Sequence, residues 1–156
     1  MSRSLPTVVA VNISPGGIPK RPTEVAQVTS DGIVGDGHNH DKHNTPMQAI
    51  SLIDAQALDD LRDQGFDVYP GATGENLTVR GLNVDALHIG DRLHFNEGVE
   101  LQITKVRKPC YVLDAISPRL QRAIAGRCGC YARVITTGEI RAGETIQVHH
   151  AIPDQV

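Results

Sequence analysis

The chain has no tryptophan, and aromatic residues make up only 3% of it. Its core must therefore be aliphatic, and little is available for stacking nucleobases. Lys and Arg total 15 against 18 for Asp and Glu, a net charge of −3, so there is no global positive field of the kind that holds a nucleic-acid backbone. The three cysteines cannot all pair with one another, and no stretch has the succession of charged, apolar and small residues that marks a secretory signal. Reduced thiols in a cytoplasmic protein are the expectation. No apolar run approaches the roughly 20 residues that cross a bilayer. Neither nucleic acid nor a membrane is expected as a partner. There is no Walker loop, no Gly-x-Ser-x-Gly elbow and no dinucleotide fingerprint, which removes several common enzyme classes. Internal repeats, low-complexity segments and linkers are also missing.

What is present fits one domain. At 156 residues with 40% hydrophobic content the chain can bury a sizeable core, expected over about residues 7–148. Its 15 glycines and 9 prolines are scattered, pointing to many turns between short strands and so to a mainly β fold with a few short helices. Alternating or β-branched runs predict strands at 7–13, 25–28, 48–53, 77–79 and 131–136, a hairpin of 92–95 with 99–106, and a last strand turning back over 140–148. Asp54 is expected to cap a helix running to about Gln64, stopped by Gly65. A second helix is expected to start at Ser117-Pro118 and reach about Ala125.

The chemistry centres on the run Ile103 to Leu113. Leu101, Ile103 and Val106 read as a strand, and Pro109, which cannot donate to a ladder, ends it. Cys110 then stands at the strand-to-loop transition, directly after Arg107 and Lys108. Nearby cations favour the thiolate, the form that attacks electrophiles and binds soft metals. A buried structural thiol is the other reading, since free cysteine is among the most buried residue types. Spacing alone does not separate the two.

Three other stretches carry polar chemistry. Gly35 to His43 holds three histidines and two aspartates in nine residues. His38 and His40 share a side if the backbone is extended, and His43 can fold back toward them. Imidazoles and carboxylates suit zinc, yet the stretch has neither a helical His-x-x-x-His nor a Cys-x-x-Cys. Metal ligation, proton transfer by one histidine and a solvated surface loop all remain open. Tyr69 to Asn76 is a glycine-bearing turn that sets Glu75 and Asn76 ahead of a strand, as a ligand wall or a tight corner. Gly126 to Cys130 is a second such corner, carrying Arg127, Cys128 and Cys130. Its two thiols are too close in sequence for an ordinary disulfide or a lone zinc site. Lys20 and Arg21 form a small basic cluster after the first turn, which reads as solvated surface unless other cations converge on it.

Read in order, Gly35-Asp36-Gly37-His38, Gly74-Glu75-Asn76-Leu77-Thr78-Val79, Ile89-Gly90-Asp91, Lys108-Pro109-Cys110 and Gly129-Cys130-Tyr131-Ala132-Arg133-Val134 with the following Gly138 to Glu144 resemble a stand-alone MOSC domain. That domain is named for the C-terminal region of molybdenum cofactor sulfurases, and the resemblance covers about residues 7–148. It implies a strand-rich fold built around a barrel. It also implies that Cys110 is the protein's sulfur ligand to a molybdenum cofactor, with Lys20, Arg21, Arg107, Lys108 and Arg127 available for the pterin phosphate beside Glu75 and Asn76. Several members reduce N-hydroxylated compounds, which implies a small-molecule substrate, and others have been proposed to carry or transfer sulfur. His38 or Asp36 would be the proton donor, and a separate protein would donate electrons or deliver cofactor or sulfur. Metal-free sulfur transfer or carbon–sulfur lyase chemistry at Cys110 is one alternative. A zinc enzyme built on His38, His40 and His43 is another.

Overall fold

The computed structural model describes residues 5–37 and 46–151; the histidine-rich stretch from His38 to His43 lies outside the described residues. Eight strands form one sheet. Its central member, β5 (Ile50–Asp54), is buried at every position. On one side β5 pairs in parallel with β6 (Leu77–Arg80), which is followed by β1 (Thr7–Ile13) and β2 (Arg21–Thr23). On the other side lie β9 (Cys130–Thr136), β8 (Glu100–Val106), β7 (Arg92–Phe95) and β11 (Ile146–His149). A second sheet of three strands combines β3 (Val25–Thr29), β4 (Gly32–Ile33) and β10 (Gly138–Arg141). Two short helices, α1 (Ala55–Asp63) and α2 (Leu120–Ile124), complete the regular structure.

The large sheet curls. Val8 N donates to Glu144 O at 2.9 Å and Gly143 N to Val8 O at 2.7 Å, while Thr7 and Thr145 form an isolated bridge. These contacts bring β1 against the approach to β11 without a continuous ladder, so the expected barrel is a curled sheet that does not close. The fold is mainly β, as the sequence predicts.

Alternation along β5 explains why the protein has two cores. Ile50 and Leu52 point to the inside of the curl, where they join Val11, Leu77, Leu93, Leu101, Ile103 and Ile146. Ile53 points the other way, into a cluster with Leu58 and Leu61 of α1, Leu120 and Ile124 of α2, and Leu113. Each fully buried aliphatic side chain of this kind contributes about 1.5–3 kcal/mol. A strand covered on both faces is a continuous apolar run, which is how 50–53 reads apart from Ser51.

Several local expectations are corrected. Asp54 precedes α1 but makes no capping bond to it; both carboxylate oxygens accept from Val84 N at 2.9 Å, fastening β5 to the 84–86 turn instead. The run 140–148 is two strands in different sheets, because buried Glu144 gathers the turn between them by accepting from Arg141 N (2.6 Å) and Glu97 N (2.9 Å). Pro118 lies in a turn before α2, closed by Leu120 N on Ser117 O at 3.1 Å. Residues 46–48 form a single 3-10 turn, so β5 starts at Ile50. The short β2 at the edge of the sheet was not expected.

Gly129 shows how closely the sheet meets its corner. Its φ is +89°, and a Cβ there would lie 1.8 Å from Leu52 O. Gly129→Ala is expected to lower stability by about 3 kcal/mol or more through backbone strain and this clash, read as a fall in the urea midpoint. Asp91 provides a pH-dependent counterpart. Burial opposes its charge, but donation from His88 N and Ala151 N, helped by His150, outweighs that and holds its pKa below the ordinary carboxylate range. An acid with a depressed folded pKa stabilises the fold above its unfolded value, and that contribution is lost as pH falls through the folded one. Asp91→Asn should therefore lower the unfolding midpoint at neutral pH and flatten its dependence on pH below about 4.

Candidate functional site

The outer face of the sheet is not covered by apolar side chains everywhere. Ser51 of β5 stands opposite Tyr131 of β9, and Tyr131 opposite Lys105 of β8. Asn76 continues the row, its N–H donating to Ser51 O at 3.0 Å. The three strands and the head of β6 thus each place one polar residue at the same level. Above this row lies a cavity of about 570 Å³. Its walls are the first turn (Gly17, Ile18, Lys20), the glycine turn (Thr73, Gly74), and the segment from Lys105 to Leu113.

Cys110 lies on this wall, half-buried and unpaired, just beyond the end of β8. Arg107 and Lys108 line the cavity as well, and the Arg107 side chain is engaged by the walls. Its guanidinium donates to Thr73 O and to Cys128 O, the latter at 3.4 Å, and it also meets the side chain of Tyr131. It clamps the glycine turn to the 126–130 corner across the floor of the cavity.

Lys20 reaches the cavity already paired. Its ammonium lies 2.6 Å from both oxygens of Asp36. Asp36 also accepts from Ser14 N at 3.0 Å and Asn76 Nδ2 at 2.9 Å, and its side chain is only 2% exposed. Asp36 therefore acts within the wall, holding Lys20 and Asn76, and is not among the cavity-lining residues. Glu75 is likewise internal: it accepts from Gly71 N (2.8 Å), Thr73 Oγ1 (2.7 Å) and Thr78 Oγ1 (2.7 Å). Its buried carboxyl group shapes the turn, while Asn76 lines the cavity.

Two nominated cations sit elsewhere. Arg21 is exposed on β2, and Arg127 pairs with Asp60 of α1 at 2.6 Å; neither lines the cavity. His38, His40 and His43 are outside the described residues. Among the described residues, no three of His, Cys, Asp and Glu group as a metal cage. Lys105, Tyr131, Ser51, Gln48 and Thr73 line the cavity but were not singled out from the sequence. Alternation alone hides them, because it takes the pairing of β8, β9 and β5 to set Lys105, Tyr131 and Ser51 side by side.

The thiols divide by environment. Cys128 lines the cavity from the opposite corner, buried, and burial raises its pKa, with Arg107 partly offsetting the rise. Cys130 belongs to the inner core, where burial pushes its pKa up to about 12.

The MOSC domain family matches residues 39–147. A protein named "Reductase" from Gibberella moniliformis is 32% identical over 128 residues, 77% of this chain and 23% of its own length. Uncharacterized protein YflK of Bacillus subtilis is 29% identical over 139 residues, 85% of this chain and 62% of its own. The chain thus spans about a quarter of the first relative and under two thirds of the second. The crystal structure of the YUAD protein from Bacillus subtilis superimposes with a TM-score of 0.81 at 20% identity, over 97% of this chain and 99% of that one. That of YiiM from Geobacillus stearothermophilus gives 0.77 at 24% identity, over 93% and 75%. These two likenesses establish the fold. No helix among the described residues is long and apolar enough to cross a membrane.

Exposure separates the thiols experimentally. In the folded protein at pH 8, iodoacetamide should modify Cys110 and spare Cys128 and Cys130, while all three react in denaturant. Peptide mass mapping reads the outcome, and rapid labelling of Cys130 in the native state would contradict its placement in the core.

Proposed function

The chain belongs to the MOSC domain family, and from that premise we propose that it binds the molybdenum cofactor through the Cys110 thiolate and reduces small N-hydroxylated compounds. The observation that carries this reading is the composition of the cavity wall. In a protein of net charge −3, the cavity is lined by Lys20, Lys105, Arg107, Lys108 and Cys110, with no carboxylate among its described lining residues. One soft sulfur ligand in a cationic pocket fits a metal whose other ligands arrive with an anionic organic group, since thiolates suit soft centres and ammonium groups suit phosphate. A zinc site would call for three or four protein ligands.

When bound, the molybdenum cofactor supplies two-electron chemistry that takes up the oxygen of an N–OH group. The overall change breaks the N–O bond, consumes two electrons and two protons, and releases the amine and water. The chain's own residues have distinct parts. Cys110 provides the protein sulfur. The Asp36 carboxylate holds the Lys20 ammonium and the Asn76 amide at the wall, so its part is positioning. Arg107 keeps two walls of the cavity together. Proton delivery falls to His38, which follows cavity-lining Gly37 in the chain. Electrons come from a separate donor protein, and the cytoplasm is the compartment in which the thiols stay reduced. The relative named "Reductase" supports redox chemistry for the family to this extent.

A second reading is metal-free sulfur transfer at Cys110, favoured by one observation: Cys128 lines the same cavity and could resolve a persulfide or disulfide formed on Cys110. The zinc alternative depends on His38, His40 and His43.

Metal and pterin content, measured on protein from a host that makes the cofactor, tests these readings together. Wild type should carry near-stoichiometric molybdenum and pterin, and Cys110→Ser should lose most of the molybdenum. Zinc in both proteins would move the chemistry to the histidines, and no metal in either would leave sulfur transfer at Cys110.

A further inference from the structure

The ladder between β8 and β9 is irregular at two places, Glu100/Leu101 and Ile103/Lys105, and the second leaves one extra residue in β8. Pairing proceeds one to one through Leu101–Val134, Gln102–Arg133 and Ile103–Ala132, and then slips, so that Lys105 rather than Thr104 stands opposite Tyr131. In an unbroken strand Lys105 would share the face of Leu101 and Ile103, which lies in the aliphatic core. The bulge turns it to the face of Tyr131 and the cavity instead, a use of bulges seen beside active sites. Thr104 occupies the spare position with its hydroxyl against the carbonyls of Met47 and Tyr131.

The charges of the cavity then sort themselves. Lys20 is neutralised by Asp36. Arg107 is committed to two carbonyls and lies within electrostatic reach of buried Glu75. Lys105 and Lys108 line the same cavity, and neither joins any ion pair among the described residues. Both residues are exposed to solvent where they line the cavity, and ammonium groups without a counter-ion beside a concave wall create a local potential that attracts an anion. Tyr131, its cross-strand neighbour, adds a hydroxyl able to donate to the same ligand.

We propose that Lys105, turned into the cavity by the bulge and flanked by Tyr131 and Lys108, anchors the phosphate monoester of the ligand that the cavity takes. The subsite itself stands on register and charge; only the assignment of that phosphate to a cofactor rests on the reading given above. A phosphorylated substrate would present the same chemistry.

The test titrates inorganic phosphate into the cofactor-free protein and follows amide shifts by NMR at constant ionic strength, alongside pterin content after expression in a cofactor-making host. Wild type should show saturable shifts at Tyr131 and Lys105. Lys105→Gln should weaken phosphate binding by about tenfold, as expected for loss of one charge-assisted contact, Lys105→Arg should restore it, and Arg141→Gln on the far sheet should leave it unchanged. An unchanged amide spectrum elsewhere certifies the fold of each variant. Parallel loss of pterin in Lys105→Gln assigns the phosphate to the cofactor. Phosphate binding lost in Lys105→Gln, in a protein whose wild type holds no pterin, supports the subsite with a phosphorylated substrate and overturns the cofactor reading alone. Equal phosphate affinity in wild type and Lys105→Gln overturns the anchor, as does a wild type without saturable phosphate shifts, whatever the pterin content.

Discussion

Burial of β5 on both faces is the constraint on which the rest of this molecule depends. A strand with aliphatic neighbours above and below must be flanked by other strands, because its own N–H and C=O groups have no water to turn to. The inner core is satisfied by curling the sheet, and the outer one by laying α1, α2 and the 111–115 turn against it. Helices of nine and five residues cannot cover an eight-stranded sheet. The uncovered part of the outer face is where Ser51, Tyr131 and Lys105 stand, and there a cavity forms. The site is the remainder of a covering problem, and its polar floor follows from being the part of the face that no helix shields.

Charge within that remainder is arranged against the balance of the whole chain. Surface ion pairs such as Asp59 with Arg62 and Arg80 are screened by water and salt, whereas Asp54, Glu75, Asp91, Glu100 and Glu144 are buried among the described residues. Carboxylates near the cavity are withdrawn into its walls, Asp36 to orient Lys20 and Glu75 to hold the glycine turn. Low-dielectric walls focus what remains, so a few lysines set the sign of the potential an entering molecule meets.

Much of this was legible in the sequence, for reasons that differ by element. The strands β1, β7, β8 and β9 and the helix α1 follow local period and propensity, so their positions could be read directly. The hairpin at Asn96 to Gly98 and the stop at Gly65 follow from backbone geometry that glycine alone adopts easily. Cys110 was visible because Pro109 ends a strand just before it. Other features depend on contacts distant in the chain. Asp54 looks like a helix cap until Val84 N, thirty positions on, competes for its oxygens. Arg107 adjoins Cys110 in sequence, yet the carbonyls of Thr73 and Cys128 engage its side chain in the walls. Lys105 is one exposed residue of a strand, and only the slip in the β8–β9 register sets it beside Tyr131 at the cavity. Sequence carries periods well and registers poorly, because a register is a property of two strands together.

The contacts between Val8 and the 143–144 turn have a consequence for how the protein is made. Strand β1 pairs locally with β2, but its other partners are β6 and a turn more than a hundred residues later. A chain leaving the ribosome exposes Val8 and Val11 long before the residues that cover them exist. The stitch at Val8 therefore waits until the 143–144 turn has been synthesised, with the slow closure typical of non-local β pairing. In the finished sheet the same stitch ties β1 to the approach to β11.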